Sequence, residues 1–188
     1  MIKDNVTFAI CDFETTGVYP DIDYPIEIGL IFTDNNFVIK HTYSSLICFD
    51  KLRTDIIKNK NMWLPEHEAA YNIHKIPASE VVANGLDPEV LVSIIKDTCL
   101  KIKVGKTPVT LLSDNSHFEY DFMRKLFGKE QDMQEYFHYT AWDSNILTDI
   151  SGIGDPIPVH RALPDCALLH QAIIRSVEKI GGFKPNKR

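Results

Sequence analysis

The feature that most restricts how this chain can fold is an apolar run that leads straight into two acids and a glycine turn, FAICDFETTG at residues 8–17. Val6 to Cys11 reads as a buried strand. Alternation along a strand sends positions i and i+2 to the same face, so Asp12 and Glu14 project together from its end. Hard oxygen donors in that arrangement suit Mg²⁺ or Mn²⁺. Taken alone, D-x-E is also what an ordinary strand followed by a polar turn would show. The pair gains meaning from a second cluster far along the chain, His160 and Asp165 in HRALPDCALLHQAI, at the mouth of an apolar helix.

With 188 residues, 44% of them hydrophobic and 24% charged, the chain has the composition of one globular domain. We expect that domain over residues 1–180 and a basic tail over 181–188. A formal net charge of −6 argues against a general polyanion binder, which needs many Lys and Arg contacts to phosphate. It is compatible with a metal-dependent enzyme whose clustered acids are neutralised by bound cations. Four cysteines form no C-x-x-C pair and sit in apolar surroundings, so they read as reduced core residues. The segment MIKDNVTFAI has no long apolar run and no stretch approaches transmembrane length, from which a cytoplasmic location without membrane association is expected.

Periodicity predicts an α/β order. PIEIGLIFTDNNFVIKHTYSSLICF reads as two strands joined by a turn at Asp34 to Asn36, completing an antiparallel three-stranded meander with the first. Helical sequence follows from Pro65. After a Pro/Ser/Asn/Gly region comes an amphipathic helix from Pro88 with Val90, Leu91, Ile94 and Ile95 on one face. Val109 to Leu112 is a short strand, Phe122, Met123, Leu126 and Phe127 recur at helical spacing, a strand falls near Tyr139 to Trp142, and a last helix runs from about Pro164 to Glu178.

DFETTG (Asp12 to Gly17), NIHKIP (Asn72 to Pro77) and HRALPD (His160 to Asp165) together resemble the DEDDh family of 3′ to 5′ exonucleases across nearly the whole chain. HRAL-x-DC is similar to the exodeoxyribonuclease X group in particular. The resemblance implies a ribonuclease H-like fold: a central mixed β-sheet, with the antiparallel meander plus parallel strands, flanked by helices. The family's second motif usually reads H-N-x-x-F-D, whereas this chain reads DNSHFEYDFM. Alignment on Asn115 and Phe118 makes Glu119 the acid and places Phe122, Met123, Leu126 and Phe127 on one helical face. Alignment on Asp121 keeps the residue type but puts Arg124 and Lys125 where the apolar pair belongs, so Glu119 is favoured and Asp121 is the alternative.

The same resemblance implies that Asp12, Glu14, Glu119 and Asp165 hold two divalent cations, Mg²⁺ or Mn²⁺, with His160 as general base. It further implies that Phe13, Thr15, Thr16 and Asn115 meet the substrate, a 3′ end of single-stranded nucleic acid. The expected activity releases nucleoside monophosphates, with DNA slightly favoured and an exoribonuclease or oligoribonuclease as the alternative. A noncatalytic module that binds nucleic acid or a polymerase is the alternative of another class. Trp63 could stack on a base or be buried, and Asp143 reads as a helix cap. GKT at 105–107 is no P-loop, because Leu100 stands where glycine is required and Pro108 blocks the following helix. H-E-x-x-H fails at Tyr71, so no zinc pair is expected there.

Overall fold

The computed structural model describes residues 6–181, so the basic tail expected over 181–188 lies, apart from Gly181, outside the described residues. Its centre is a five-stranded sheet in the order β3-β2-β1-β4-β5. β1 (Phe8–Thr15), β2 (Pro25–Thr33) and β3 (Ile39–Leu46) form the antiparallel meander. α1 (Asp50–Lys58), α2 (Glu68–His74), α3 (Ala78–Asn84) and α4 (Pro88–Ile102) follow. Then come β4 (Thr110–Ser113), α5 (Ser116–Phe127), α6 (Glu130–Gln134), β5 (Trp142–Asp143), α7 (Asn145–Ser151) and α8 (Ala162–Lys179). β4 runs parallel to β1, and β5 parallel to β4. The ribonuclease H-like α/β class expected from the sequence is the one observed.

β1 and β2 carry almost no exposed position because both faces of the sheet are covered. Ala9, Cys11 and Phe13 pack with Leu91 and Ile95 of α4 and with Phe122 and Met123 of α5. Phe8, Ile10 and Ile31 pack with Cys166, Leu169 and Ile173 of α8 on the other side. This is the two-residue period of a strand read out as two separate cores. A third cluster, with Ile26, Leu52, Ile56 and Val81, ties α1 and α3 to the start of β2.

Several details differ from the sequence expectation. β1 continues through Asp12 and Glu14 to Thr15, because β2 pairs with it that far, so the two acids lie within the strand rather than beyond it. α1 was not anticipated: only Leu52 and Ile56 of its nine residues are buried, an i, i+4 pair too sparse to stand out as a face. α3 lies in the region read as Pro/Ser/Asn/Gly, and α6 and α7 are equally short. The buried face of α4 is Leu91, Val92, Ile95 and Cys99, with Val90 half exposed, a rotation of the expected face by about one residue. All four cysteines are free and buried. No helix among the described residues is long and apolar enough to cross a membrane.

Gly29 sets the distance between α8 and the sheet. It lies opposite Asp12 in the β1–β2 ladder, and a Cβ there would overlap the backbone of Ala162 and Leu163. The Cys166 thiol donates to the Gly29 carbonyl at 3.3 Å, which the same close approach permits. Gly29→Ala is therefore expected to destabilise the protein by about 1–3 kcal/mol, as overpacking does elsewhere. Urea unfolding of the two proteins measures this, and an unchanged midpoint would show that α8 has room to move.

Candidate active site

Two groups of side chains converge at the C-terminal end of β1. Carboxylate oxygens of Asp12, Asp114 and Glu119 all lie within 4.8 Å of one another, and so do ligand atoms of Glu14, His160 and Asp165. Asp12 and Glu14 come from β1, Asp114 from the turn after β4, Glu119 from the first turns of α5, and Asp165 from the first turn of α8. The parallel pairing of β4 with β1 brings the second motif alongside the first.

α5 begins where it does because of residues distant in sequence. Asn115 makes no side-chain cap. Asp143 supplies it instead, accepting from the Ser116 backbone at 3.3 Å and from the Ser116 hydroxyl at 3.4 Å. Its other oxygen accepts from Asn145 N at 3.0 Å, at the start of α7. In this frame Glu119 shares the buried face of α5 with Phe122, Met123 and Leu126. Asp121 does not join the acids. It pairs with Arg124 at 3.2 Å and lines a separate surface cleft beside Pro20.

His160 sits on a tight turn with φ of 59°, in the left-handed region that a non-glycine residue seldom occupies. Asp165 holds that turn, accepting from Val159 N at 2.8 Å and from Arg161 N at 3.1 Å, the two residues that flank the histidine. Glu27, opposite Glu14 in the ladder, anchors the next residues. Its carboxylate accepts from Arg161 Nη2 at 2.7 Å and from the Ala162 backbone at 3.0 Å. This buried acid in β2 thus orders the start of α8. It was missed in the sequence, although a lone charge inside the apolar run PIEIGLIF needs a partner and could have been noticed. Asp114 was also missed, since the H-N-x-x-F-D pattern has histidine at its position.

Burial dominates the electrostatics of the acids, and crowding of like charges adds to it. Burial, then Glu14, Asp165, Asp114 and Glu27, push the Asp12 carboxyl well above the usual range. Burial followed by Asp12, Asp114 and Glu14 does the same to Glu119. Burial, Glu27 and Asp165 raise Glu14 to about 7 against the opposing pull of Arg161. Asp12 Oδ2 and Glu119 Oε2 are buried without a hydrogen-bond partner. Buried acceptors of this kind are costly unless something completes them, and a divalent cation fits the donor set.

Beside Glu14 opens a cleft of about 710 Å³, lined by Phe13, Thr16, His67, His74 and Phe118 among others. Phe13 and Phe118 both contact the Phe122 ring, with centroids at 6.4 and 4.7 Å, so one aromatic floor is shared by cleft and core. The Thr15 hydroxyl donates to the Gly17 carbonyl at 2.6 Å, and the Thr16 hydroxyl accepts from Tyr24 N at 2.9 Å. Both side chains shape the turn over residues 16–24, where the Thr16 N–H donates to the Tyr24 carbonyl at 2.9 Å, and both residues line the cleft. Gly17 leaves room there for the Asp23 carboxylate that closes the turn, which a Cβ would displace. Asn115 is exposed at the edge of the acids. Trp63 spends its indole N–H on the Ile76 carbonyl at 2.8 Å and lines a different depression. His74 Nδ1 accepts from Ile76 N at 2.9 Å, and burial lowers its pKa to about 4, so it is neutral.

No protein-family model matches the sequence, and neither does any curated protein. Solved structures share the fold. The zinc-bound complex of E. coli exonuclease I with single-stranded DNA matches with a TM-score of 0.64 at 18% identity, over 94% of this chain and 41% of that chain. E. coli exonuclease I with a dA16 oligonucleotide matches with a TM-score of 0.63 at 19% identity, over 90% and 40%. Exonuclease I in its apo form matches with a TM-score of 0.62 at 18% identity, over 91% and 42%. This chain thus spans about two fifths of the chains it resembles.

The raised Glu14 pKa makes a signed prediction. Between the ordinary carboxyl value of 4.5 and about 7, the folded protein holds a proton that the unfolded chain has released. Stability of the cation-free protein should therefore fall as pH rises through that window. Thermal melts in EDTA should show the fall, and Glu14→Gln should make it shallower. Parallel curves for the two proteins would show that Glu14 does not titrate as its surroundings dictate.

Proposed function

We propose that this protein is a 3′ to 5′ exonuclease that shortens single-stranded nucleic acid, with DNA the favoured substrate. The observation that carries the proposal is the convergence of Asp12, Glu14, Glu119, Asp165 and His160 beside an apolar cleft. The polarity and the DEDDh class rest on the sequence motifs. DNA is favoured by the similarity of HRAL-x-DC to the exodeoxyribonuclease X group. It is favoured too by the single-stranded DNA and dA16 complexes of E. coli exonuclease I, whose fold is similar.

Asp12, Glu14, Glu119 and Asp165 would hold two divalent cations, Mg²⁺ or Mn²⁺, which when bound supply Lewis acidity at the phosphodiester and at the departing oxygen. His160, close to Glu14 and Asp165, takes the proton of the attacking water at an imidazole nitrogen. The water oxygen bonds to phosphorus, the bond from phosphorus to the 3′ oxygen breaks, and the leaving oxygen is protonated from solvent. The product is a nucleoside 5′-monophosphate. Asp165 and Glu27 keep the His160 turn in place through the hydrogen bonds described above.

The surroundings of the acids suit unpaired bases more than duplex phosphates. Val18, Tyr19, Ile22 and Ile73 line the cleft and stand more than half exposed, at 64, 66, 70 and 55%. Exposed apolar and aromatic groups beside a catalytic cleft offer stacking to bases of any sequence. Phe13 would contribute the apolar floor beneath a terminal base, Thr15 and Thr16 the turn beside it, and Asn115 an exposed polar side chain next to Asp114. The intact set of acids with His160 argues against a noncatalytic module.

The test is a timed digestion of 5′-labelled DNA and RNA oligonucleotides, single- and double-stranded, with Mg²⁺, Mn²⁺ or EDTA. Single-stranded DNA should shorten stepwise from its 3′ end and survive in EDTA. His160→Ala should slow the reaction by about 10²–10⁴-fold while Mn²⁺ binding persists. Faster loss of RNA would move the assignment to an exoribonuclease. Undegraded oligonucleotides of both sugars, or full activity in Asp12→Ala, would contradict the reading.

A further inference from the structure

We propose that Asp114 is a fifth carboxylate ligand of the cation centre, so that one cation is bound jointly by Asp12, Asp114 and Glu119. This rests on the reading of the acids as a cation site and adds a residue that the family pattern does not supply, since that pattern has histidine here.

Carboxylate oxygens of the three residues lie within 4.8 Å of one another. A hard cation that binds oxygens at about 2.0–2.6 Å brings opposite ligands to about 4–5 Å apart. The three side chains therefore reach one ion with little rearrangement. The independent sign of a ligand is Glu119, which is 3% exposed and whose Oε2 has no hydrogen-bond partner. Asp12 Oδ2 is likewise buried and unpartnered. Both residues that carry an orphaned buried oxygen thus bring a carboxylate oxygen within 4.8 Å of one from the exposed Asp114.

Asp114 is presented there by its neighbours. The Asn145 side chain donates to the Asp114 carbonyl, and Ser144 donates to the Ser113 carbonyl through its backbone at 2.8 Å and its hydroxyl at 3.0 Å. The turn after β4 is thus fixed to the start of α7. Asp114 also joins Asp12 and Asp165, with Pro156, Pro158, Leu168 and Leu169, in lining a small cleft of about 30 Å³ beside the three acids. None of the ion pairs among the described residues involves Asp114; burial raises its pKa, the backbone N–H groups of Asp114 and Asn115 oppose the shift, and Asp143 and Asp155 add to it. An acid among acids, with no Lys or Arg on it, is completed by a cation. Compared with a neutral imidazole, a carboxylate adds charge and an oxygen donor, which favours Mg²⁺ and Mn²⁺.

Calorimetric titration of Mn²⁺ into the cation-free protein tests this without reference to activity. Asp114→Asn keeps the acceptor for the turn's own N–H groups but loses the charge, and should weaken one Mn²⁺ binding event by about tenfold or more. Asp114→Ser should do the same, Asp114→Glu should recover part of the loss, and Asp97→Asn, on an exposed position of α4, should change nothing. Undiminished Mn²⁺ affinity in Asp114→Asn and Asp114→Ser, beside an Asp12→Asn protein that has lost it, would overturn this inference and leave the cation centre standing. No Mn²⁺ uptake by the unaltered protein would overturn both.

Discussion

Repulsion among carboxylates at the end of β1 is the constraint around which the rest of the molecule is arranged. Asp12, Glu14, Glu27, Asp114, Glu119 and Asp165 gather there, and Arg161 is the one basic side chain in ion-pair contact with any of them among the described residues. Buried like charges either take up protons or attract cations. Raised pKa values at Asp12, Glu14 and Glu119 are the first response, seen without cations. The scaffold that enforces the crowding is rigid: β1 is held in the middle of the sheet, α8 is pressed to it at Gly29, and the Glu27 to Arg161 pair fixes where α8 starts. Packing energy from the two cores is what sustains an arrangement that electrostatics alone would disperse.

Much of this was legible in the chain. The meander, the strand after α4 and the apolar face of α5 follow from period-two and period-3.6 patterns, the burial of the cysteines from their apolar neighbours, and the parallel pairing from the family resemblance. That face also orients the second motif: burial of Phe122 and Met123 carries Glu119 inward and leaves Asp121 beside Arg124. Glu27 and Asp114 escaped because their importance is a matter of pairing. Glu27 matters only once it stands opposite Glu14, and Asp114 only once β4 lies beside β1. Similarly, Asp143 was recognisable as a cap, but that it caps α5, 27 residues earlier, depends on β5 lying next to β4. Short helices such as α1 bury too few side chains to announce themselves.

The proposed activity draws on both halves of the site. In that proposal the acids and His160 would provide the hydrolytic end, and the cleft beside Glu14, with its aromatic floor and apolar lip, would provide a place for the last bases of an unpaired strand. With a net charge of −6 the molecule offers little general attraction to polyanions. Recognition would therefore depend on stacking and on bound cations, which couples substrate affinity to the same carboxylates that serve the chemistry.

The most direct test of the central claim, that these acids form a cation centre, is a crystal soaked in Mn²⁺ and measured for anomalous scattering. The account predicts two peaks about 3.5–4 Å apart at the end of β1, within bonding distance of Asp12, Glu14, Glu119 and Asp165. A crystal with Mn²⁺ in its solvent and no peak at those carboxylates would contradict it.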